Sequence, residues 1–131
     1  MALMFANTER GQALIRLAVT EATRDQRSAL IYRLSGDDNP LHVDPEFARA
    51  AGFPRPILHG LATYGHLGRT ISKALRGDSS ASIKTMDCRF TAPVFPGDVL
   101  SISLWRDGHV VSFRAKVGER VVVDNGAASL A

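Results

Sequence analysis

The sequence has a single cysteine and no long apolar run in its 131 residues. Cys88 alone cannot form an intrachain disulfide, which agrees with a reducing compartment, and we expect it to be a free buried thiol. No stretch approaches the roughly 20 apolar residues needed to span a bilayer, and the Met1–Phe5 start is too short for the apolar region of a signal peptide. We therefore expect a cytoplasmic protein that does not insert in a membrane.

Charge of one sign is also scarce, since 16 Lys and Arg residues against 13 Asp and Glu residues leave a formal net charge of +3. The basic residues are scattered and form no stripe with interleaved aromatics, so nucleic-acid binding has no support. The slight positive excess suits an acidic ligand, although a solvated surface explains it equally well. With 45% hydrophobic residues, the chain has the composition of one globular domain, which we place at 1–131.

The segment from Leu34 to His42 places a carboxylate, an amide and an imidazole in one tight turn. Gly36 and the Asn39-Pro40 pair are turn residues, so the chain should leave a helix near Leu34 and reverse direction. Asp37 and His42 could then face each other as a general acid/base pair, with Asn39 orienting a water. The structural alternative is that Asp37 caps a helix or an Asx-turn and His42 is an ordinary polar residue.

This turn resembles the signature of the MaoC-like (R)-specific enoyl-CoA hydratases, in which an aromatic residue and a short spacer precede Ser-Gly-Asp-x-Asn-Pro-Leu-His. Every element of the signature is present, as Tyr32, Ser35, Gly36, Asp37, Asn39, Pro40, Leu41 and His42. The likeness continues at Phe47-Ala48, Ala51-Gly52-Phe53 and Pro56–Leu61, and it reappears at Arg89–Asp98. It covers roughly residues 29–100 and is densest at Tyr32–Leu61.

The resemblance implies an α+β hot-dog fold, in which a curved antiparallel sheet of about five strands wraps a central α-helix. It implies reversible hydration of a trans-2-enoyl-CoA to the (R)-3-hydroxyacyl-CoA, with a coenzyme A thioester as substrate and neither a metal nor a redox cofactor. Asp37 and His42 would hold and activate the water, and the Gly60 N–H at a helix start would polarise the thioester carbonyl. The substrate would be bound by Tyr32, Phe53, Leu58 and Tyr64.

Each of these assignments has a structural alternative. Gly60 could be a helix-start or packing glycine, and the four substrate-binding candidates could be core residues. His59 and His66, together with Asp37 and His42, invite comparison with a metal site. Their spacing differs from the H-x-x-x-H pattern of zinc ligands on one helix, so we predict helix capping for His59, surface exposure for His66 and no metal.

Turn and cap residues divide the chain into further elements. We predict a helix that starts between Thr20 and Asp25 and ends at Gly36, a second at Pro45–Ala51, and a third from about His59 to Leu75. Thr23 and Gln26 could form a capping box for the first, and Asp44 is the expected N-cap of the second. In the third, Gly60, Gly65 and Gly68 would each cost about 0.8–1 kcal/mol, which we expect close packing against the sheet to offset.

We predict strands at Ala13–Thr20, which is β-branched and apolar in its middle, and at Ile83–Phe90, Val99–Trp105, His109–Val117 and Arg120–Ala128. Asp107-Gly108 is a type I′ hairpin signal, and Gly118 marks a second reversal. In the fourth strand, we expect one buried face formed by Val111, Phe113, Ala115 and Val117.

Two other functions remain open. One is a dehydratase subunit that acts on (R)-3-hydroxyacyl thioesters of acyl carrier protein, and the other is a non-catalytic thioester-binding hot-dog subunit. The retained acid/base pair argues against the latter. Because a single sheet leaves an edge exposed, and hot-dog units of the resembled family associate in pairs, we predict a dimer. A homodimer is favoured over a heteromer with a motif-less hot-dog subunit. We also predict a preference for medium or bulky acyl chains.

Overall fold

The structure is a computed structural model that describes residues 3–7, 13–23, 27–75 and 82–131. Its strands are β1 (Leu3–Asn7), β2 (Ala13–Ala22), β3 (Ile83–Phe90), β4 (Val99–Asp107), β5 (Val110–Val117) and β6 (Arg120–Leu130). Its α-helices are α1 (Arg27–Leu34), α2 (Pro45–Ala50) and α3 (Gly60–Ala74), with a 3₁₀ turn at Pro40–His42. Within the described residues, no helix has the length and apolar character that crossing a membrane requires.

The strands form one antiparallel sheet in the order β1-β2-β4-β5-β6-β3. Helix α3 packs on it with one face, which buries Thr63, Leu67, Thr70 and Ile71. Of these, Leu67 and Ile71 join the apolar residues of β4, β5 and β6 in a single core, and this arrangement confirms the predicted α+β hot-dog fold. The described sheet has six strands rather than about five, because Leu3–Asn7 pairs along β2 at one edge.

Strand β5 shows the alternation that its sequence predicts. Val111, Phe113 and Ala115 are buried and Val117 packs partly against the core, while Ser112 and Arg114 are exposed. The predicted type I′ turn before this strand is wrong. Asp107 and Val110 are paired, so the two-residue loop is Gly108-His109, and only Gly108 has a positive φ of 56°. A positive φ at the first loop position alone is the type II′ pattern.

The start of α1 is predicted between Thr20 and Asp25. Strand β2 continues through Ala22, which pairs with Val99, so no helix starts at residues 20–22, and the described part of α1 is Arg27–Leu34. The Thr23 hydroxyl donates to the carbonyls of Phe95 and Asp98, at 3.3 and 2.8 Å, and thereby ties the chain to the loop before β4. Gln26, the other half of the predicted capping box, lies outside the described residues.

The glycines of α3 are not explained by close packing against the sheet, contrary to the prediction. A Cβ at Gly60 or Gly68 would make an ordinary contact of 3.6 Å with Phe90 or Met86, and a Cβ at Gly65 would meet nothing within 4 Å. The face of α3 that is fully buried is instead formed by Thr63, Leu67, Thr70 and Ile71. Cys88 on β3 is half-buried rather than buried.

Candidate active site

The motif forms a turn that local hydrogen bonds hold between α1 and α2. The amides of Ser35 and Asp37 both donate to the Tyr32 carbonyl at 3.0 Å. Gly36 has a φ of 98° and donates to the Arg33 carbonyl, so it ends the helix in the left-handed conformation that glycine tolerates, as predicted. The turn therefore follows directly from residues that are neighbours in sequence.

Two side chains of the motif bind the backbone of the turn itself. The Asp37 carboxylate accepts from the Asn39 amide at 3.3 Å, which is the predicted Asx-turn alternative. The Asn39 side-chain oxygen accepts from the Leu41 amide at 3.0 Å and caps the 3₁₀ turn. Asn39 therefore keeps only its NH₂ group for a water, whereas Asp37 keeps its second oxygen, Oδ2.

His42 is oriented by hydrogen bonds between its own segment and the segment before α3. Its Nδ1 lies 2.9 Å from the Ile57 carbonyl, and the Ile57 amide donates to the Leu41 carbonyl at 3.3 Å. A carbonyl oxygen can only accept, so Nδ1 carries the hydrogen and the lone pair of the neutral ring lies on Nε2. Nε2 is therefore the nitrogen that can exchange a proton with a ligand.

His59 lies beside this pair, which was not expected. It occupies the N-cap position of α3, but its side chain makes no capping hydrogen bond, and only 3% of it is exposed. Its ring stacks on those of His42 and Tyr32, with centroids 3.7 and 4.1 Å away, and its Nε2 lies 3.5 Å from Asp37 Oδ2. His59 is thus at the predicted cap position, where its backbone carbonyl accepts from the Ala62 and Thr63 amides, but its side chain takes no part in capping. The sequence feature that could have identified His59 was its position directly before Gly60, within the segment Pro56–Leu61 that resembles the family.

Electrostatics favour an uncharged His59. Burial lowers the pKa of its imidazole, the nearby His42 lowers it further, and the Asp37 carboxylate opposes both effects. The rings of His42 and His59 thus share one site in which a single positive charge is tolerated far better than two.

Asp37, His42 and His59 also bring together three potential metal ligands, whose atoms lie within 4.8 Å of one another. A metal binds imidazole along the lone pair, in the plane of the ring, at about 2.0–2.1 Å for zinc. The two imidazole planes are stacked at an angle of only 23°, so their lone pairs do not converge on one point. The geometry favours proton transfer over metal binding, and the absence of a metal remains a prediction.

Gly60 begins α3, where the first amides of a helix have no intrahelical acceptor. The positive end of the helix dipole adds to the attraction for a developing negative charge. Because a Cβ here would make only an ordinary contact, packing is a weak explanation for this glycine. Its N–H is suited to bind an oxyanion.

Two cavities flank the stacked rings. The α1–α3 cavity has a volume of about 310 Å³ and is lined by Ser28, Ile31, Tyr32, Leu58, Ala62, Gly65, His66 and Arg69. The His42 cavity has a volume of about 260 Å³ and is lined by Arg27, Leu30, His42, Val43 and Pro56. Tyr32 lines the first and His42 lines the second, so each outer ring of the stack borders one cavity.

The substrate-binding candidates divide between these surroundings. Tyr32 and Leu58 line the α1–α3 cavity, and His66 does so as well, half-buried rather than on the surface as predicted. Tyr64 turns toward the sheet, where its hydroxyl donates to the Met86 carbonyl of β3. Phe53 is half-buried after α2, and its amide donates to the Ala48 carbonyl at 2.9 Å. Neither Tyr64 nor Phe53 is among the described lining residues of the two cavities.

Sequence comparisons identify the family. Residues 9–127 match the family model of the MaoC like domain. The chain is 54% identical over 114 residues to 3-hydroxyacyl-thioester dehydratase Y of Mycobacterium tuberculosis, which is 80% of this chain and 39% of that protein. It is 51% identical over 105 residues to the peroxisomal enoyl-CoA hydratase 2 of Arabidopsis thaliana, which is 79% of this chain and 34% of that protein. The matched part thus spans between a third and two fifths of these relatives.

Solved structures lead to the same family. The MaoC-like dehydratase of Phytophthora capsici superposes with a TM-score of 0.77 at 34% identity, over 100% of this chain and 44% of that one. The peroxisomal multifunctional enzyme type 2 of Drosophila melanogaster superposes with a TM-score of 0.75 at 36% identity, over 100% of this chain and 24% of that one. Given its signature turn, its hot-dog fold and the match over residues 9–127, the chain belongs to the MaoC-like domain family.

Proposed function

We propose that the chain is a hydro-lyase domain that reversibly hydrates a trans-2-enoyl-CoA to the (R)-3-hydroxyacyl-CoA. The observation that carries the proposal is the approach of Asp37 to His42, whose Nδ1–H is held by the Ile57 carbonyl. Relatives named as an enoyl-CoA hydratase and a 3-hydroxyacyl-thioester dehydratase support it.

The chemistry needs a base, an acid and a site for negative charge. Conjugation with the thioester carbonyl makes C3 of the substrate electrophilic. Asp37 and His42 grip a water and take one of its protons as the oxygen bonds to C3, and the electrons of the C2–C3 double bond move into the carbonyl to form an enolate. The Gly60 N–H stabilises the enolate oxygen, and the acid/base pair returns a proton to C2. Asn39 orients the water through its NH₂ group, and no redox cofactor is required.

The α1–α3 cavity is the proposed acyl site, because its lining is largely apolar and contains both Tyr32 and Leu58. Its volume is better matched to a medium or bulky acyl chain than to a short acyl chain. Phe53 and Tyr64 remain predicted substrate contacts. Because neither is among the described lining residues of the two cavities, the substrate would have to extend outside these cavities to reach them.

Assembly into pairs is supported by an exposed apolar face beside the site. Leu34 of α1 is 90% exposed and Leu61 at the start of α3 is 68% exposed. Leu30, Ile31 and Phe90 add to the exposed apolar surface of α1 and β3. We propose a homodimer with the acyl-thioester groove between its subunits, and a heteromer with a motif-less hot-dog subunit as the alternative. A cytoplasmic location remains a prediction, although several relatives have peroxisomal names.

Product stereochemistry tests the proposed reaction. We expect the purified protein to hydrate crotonyl-CoA and longer enoyl-CoA substrates, and chiral analysis to find the (R)-3-hydroxyacyl thioester. Predominance of the (S) product, or no turnover by either the isolated dimer or the protein co-expressed with a second hot-dog subunit, would contradict the proposal. Parallel assays with acyl carrier protein thioesters examine the second candidate, which the dehydratase relative favours.

The acyl site is tested by filling the α1–α3 cavity. Gly65 lines it and has open space where a Cβ would stand, so Gly65→Leu should project a side chain into the cavity. We expect kcat/KM for medium-chain enoyl-CoA to fall by about tenfold or more while crotonyl-CoA is nearly unaffected, because acyl methylenes lose their pocket. Ser72→Leu, at an exposed position of the same helix, is the control. Equal loss for short and long substrates would argue against this cavity as the acyl site.

A further inference from the structure

We propose that His59 is a positioning residue, an uncharged imidazole that holds Asp37 and His42 in their reactive arrangement. This role rests on the proposed hydration and adds a third side chain to its acid/base pair. Three segments supply the groups that face His59: Tyr32 from α1, Asp37 from the motif turn and His42 from the 3₁₀ turn.

The first step of the argument is mechanical. His59 is 3% exposed and lies between the rings of Tyr32 and His42, nearly parallel to both at 18° and 23°. His42 is also fixed at Nδ1 by the Ile57 carbonyl, two residues before His59. Stacking on one side and the hydrogen bond at its edge leave His42 little freedom to rotate, so Nε2 keeps its direction.

The second step concerns the tautomer of His59. Its Nε2 lies 3.5 Å from Asp37 Oδ2, and because a carboxylate only accepts, Nε2 is the nitrogen that carries the hydrogen. Asp37 Oδ1 is held by the Asn39 amide. The two oxygens of this half-exposed carboxylate are thus each faced by an N–H, which fixes its orientation.

The third step is that the fold gains nothing polar from this histidine. Its Nδ1 is buried and has no hydrogen-bond partner among the described residues, and its side chain does not cap α3. A buried unpaired acceptor costs stability, and a phenyl ring would fill the same layer of the stack without it. The imidazole is therefore explained by Asp37 and His42 rather than by packing.

The fourth step is electrostatic. Burial and the neighbouring His42 both lower the pKa of His59, so it stays uncharged while His42 exchanges its proton. A charged His59 would repel the imidazolium of His42 across a centroid distance of 3.7 Å.

Two substitutions separate the stack from the N–H group. His59→Phe keeps a ring between Tyr32 and His42 but removes the N–H that faces Asp37, whereas His59→Gln keeps an N–H donor near the position of Nε2. We expect His59→Phe to lower kcat by about tenfold or more with KM within about twofold, because Asp37 loses the N–H that orients it. His59→Gln should recover part of the lost kcat, because it restores an N–H donor to Asp37.

His109→Gln, at an exposed hairpin turn, is the matched control and should leave kcat and KM unchanged. A wild-type kcat in folded His59→Phe would overturn the proposal. So would a Gln variant whose kcat is no higher than that of the Phe variant.

Imidazole NMR tests the arrangement without relying on activity. In the wild-type protein, we expect His59 to titrate below its ordinary pKa of 6.5, with the hydrogen of the uncharged ring on Nε2, and Asp37→Asn to shift the resonances of this nitrogen. Titration of His59 at its ordinary value of 6.5, or spectra of His59 that do not respond to Asp37→Asn, would overturn the proposal. An inactive wild-type protein with the expected spectra would refute the hydration reaction alone.

Discussion

Asp37→Asn and His42→Gln should each lower the turnover of enoyl-CoA by at least about a hundredfold and leave the fold intact, since a positioned acid or base contributes about 10²–10⁴-fold. Asn at position 37 retains an oxygen for the Asn39 amide, so the turn should persist while the charge is lost. Gln at position 42 removes the ring nitrogen that exchanges the proton. His42→Asn tests the proton transfer more specifically, because the Asn side-chain amide can still donate to the Ile57 carbonyl while the ring Nε2 is lost.

The matched control is Asp38→Asn, which removes an exposed carboxylate from the neighbouring, variable position of the motif. We expect near wild-type turnover from it, measured by the loss of enoyl thioester absorbance, with circular dichroism as the test of folding. If a folded Asp37 or His42 variant turned over substrate at nearly the wild-type rate, the acid/base mechanism would have to be abandoned.

The largest effect on stability is expected at Gly126, a residue outside the active site. It pairs with Phe113 across β5 and β6, and a Cβ at Gly126 would lie 2.3 Å from the Phe113 ring. That ring is fully buried, so it cannot move outward without disturbing the core. We expect Gly126→Ala to lower the free energy of unfolding by about 1–3 kcal/mol, as overpacked cores do.

Urea denaturation measures this change, and Gly65→Ala provides the contrast. A methyl at Gly65 meets nothing within 4 Å, and alanine in a helix interior is favoured over glycine by about 0.8–1 kcal/mol. One Gly→Ala substitution should therefore destabilise the protein and the other stabilise it. Equal stability of Gly126→Ala and the wild type would refute the close approach of Gly126 to Phe113.

Features set by neighbouring residues could be predicted from the sequence. Gly36 ends α1, Asp44 accepts from the amides of Glu46 and Phe47 as the N-cap of α2, and Gly118 reverses the chain after β5. Each depends on backbone geometry or a hydrogen bond within a few residues, which turn and cap preferences describe well. The hydrophobic alternation of β5 was equally readable, since one of its faces meets the core.

Features set by distant contacts could not be predicted in the same way. His59 joins the site only because the segment before α3 exchanges hydrogen bonds with Leu41 and His42. Tyr64 turns toward the sheet because a β3 carbonyl is available to its hydroxyl. Thr23 is drawn from helix capping to the loop before β4. In each case, a contact with a residue distant in sequence outweighs the local preference. The resemblance to a known family was the one source of information about such contacts, and it supplied only part of it.

The segment that carries Asp37 and His42, residues 27–50, buries few of its side chains against the rest of the protein. Helix α1 buries Ala29, α2 buries Ala48 and the 3₁₀ turn buries none of its residues, whereas α3 and the sheet share a large apolar core. Segments with little buried surface open at a lower free energy than the whole domain. Amides of residues 27–50 should therefore exchange with deuterium well before those of β4–β6, and on warming the protein would lose its proposed active site before its sheet.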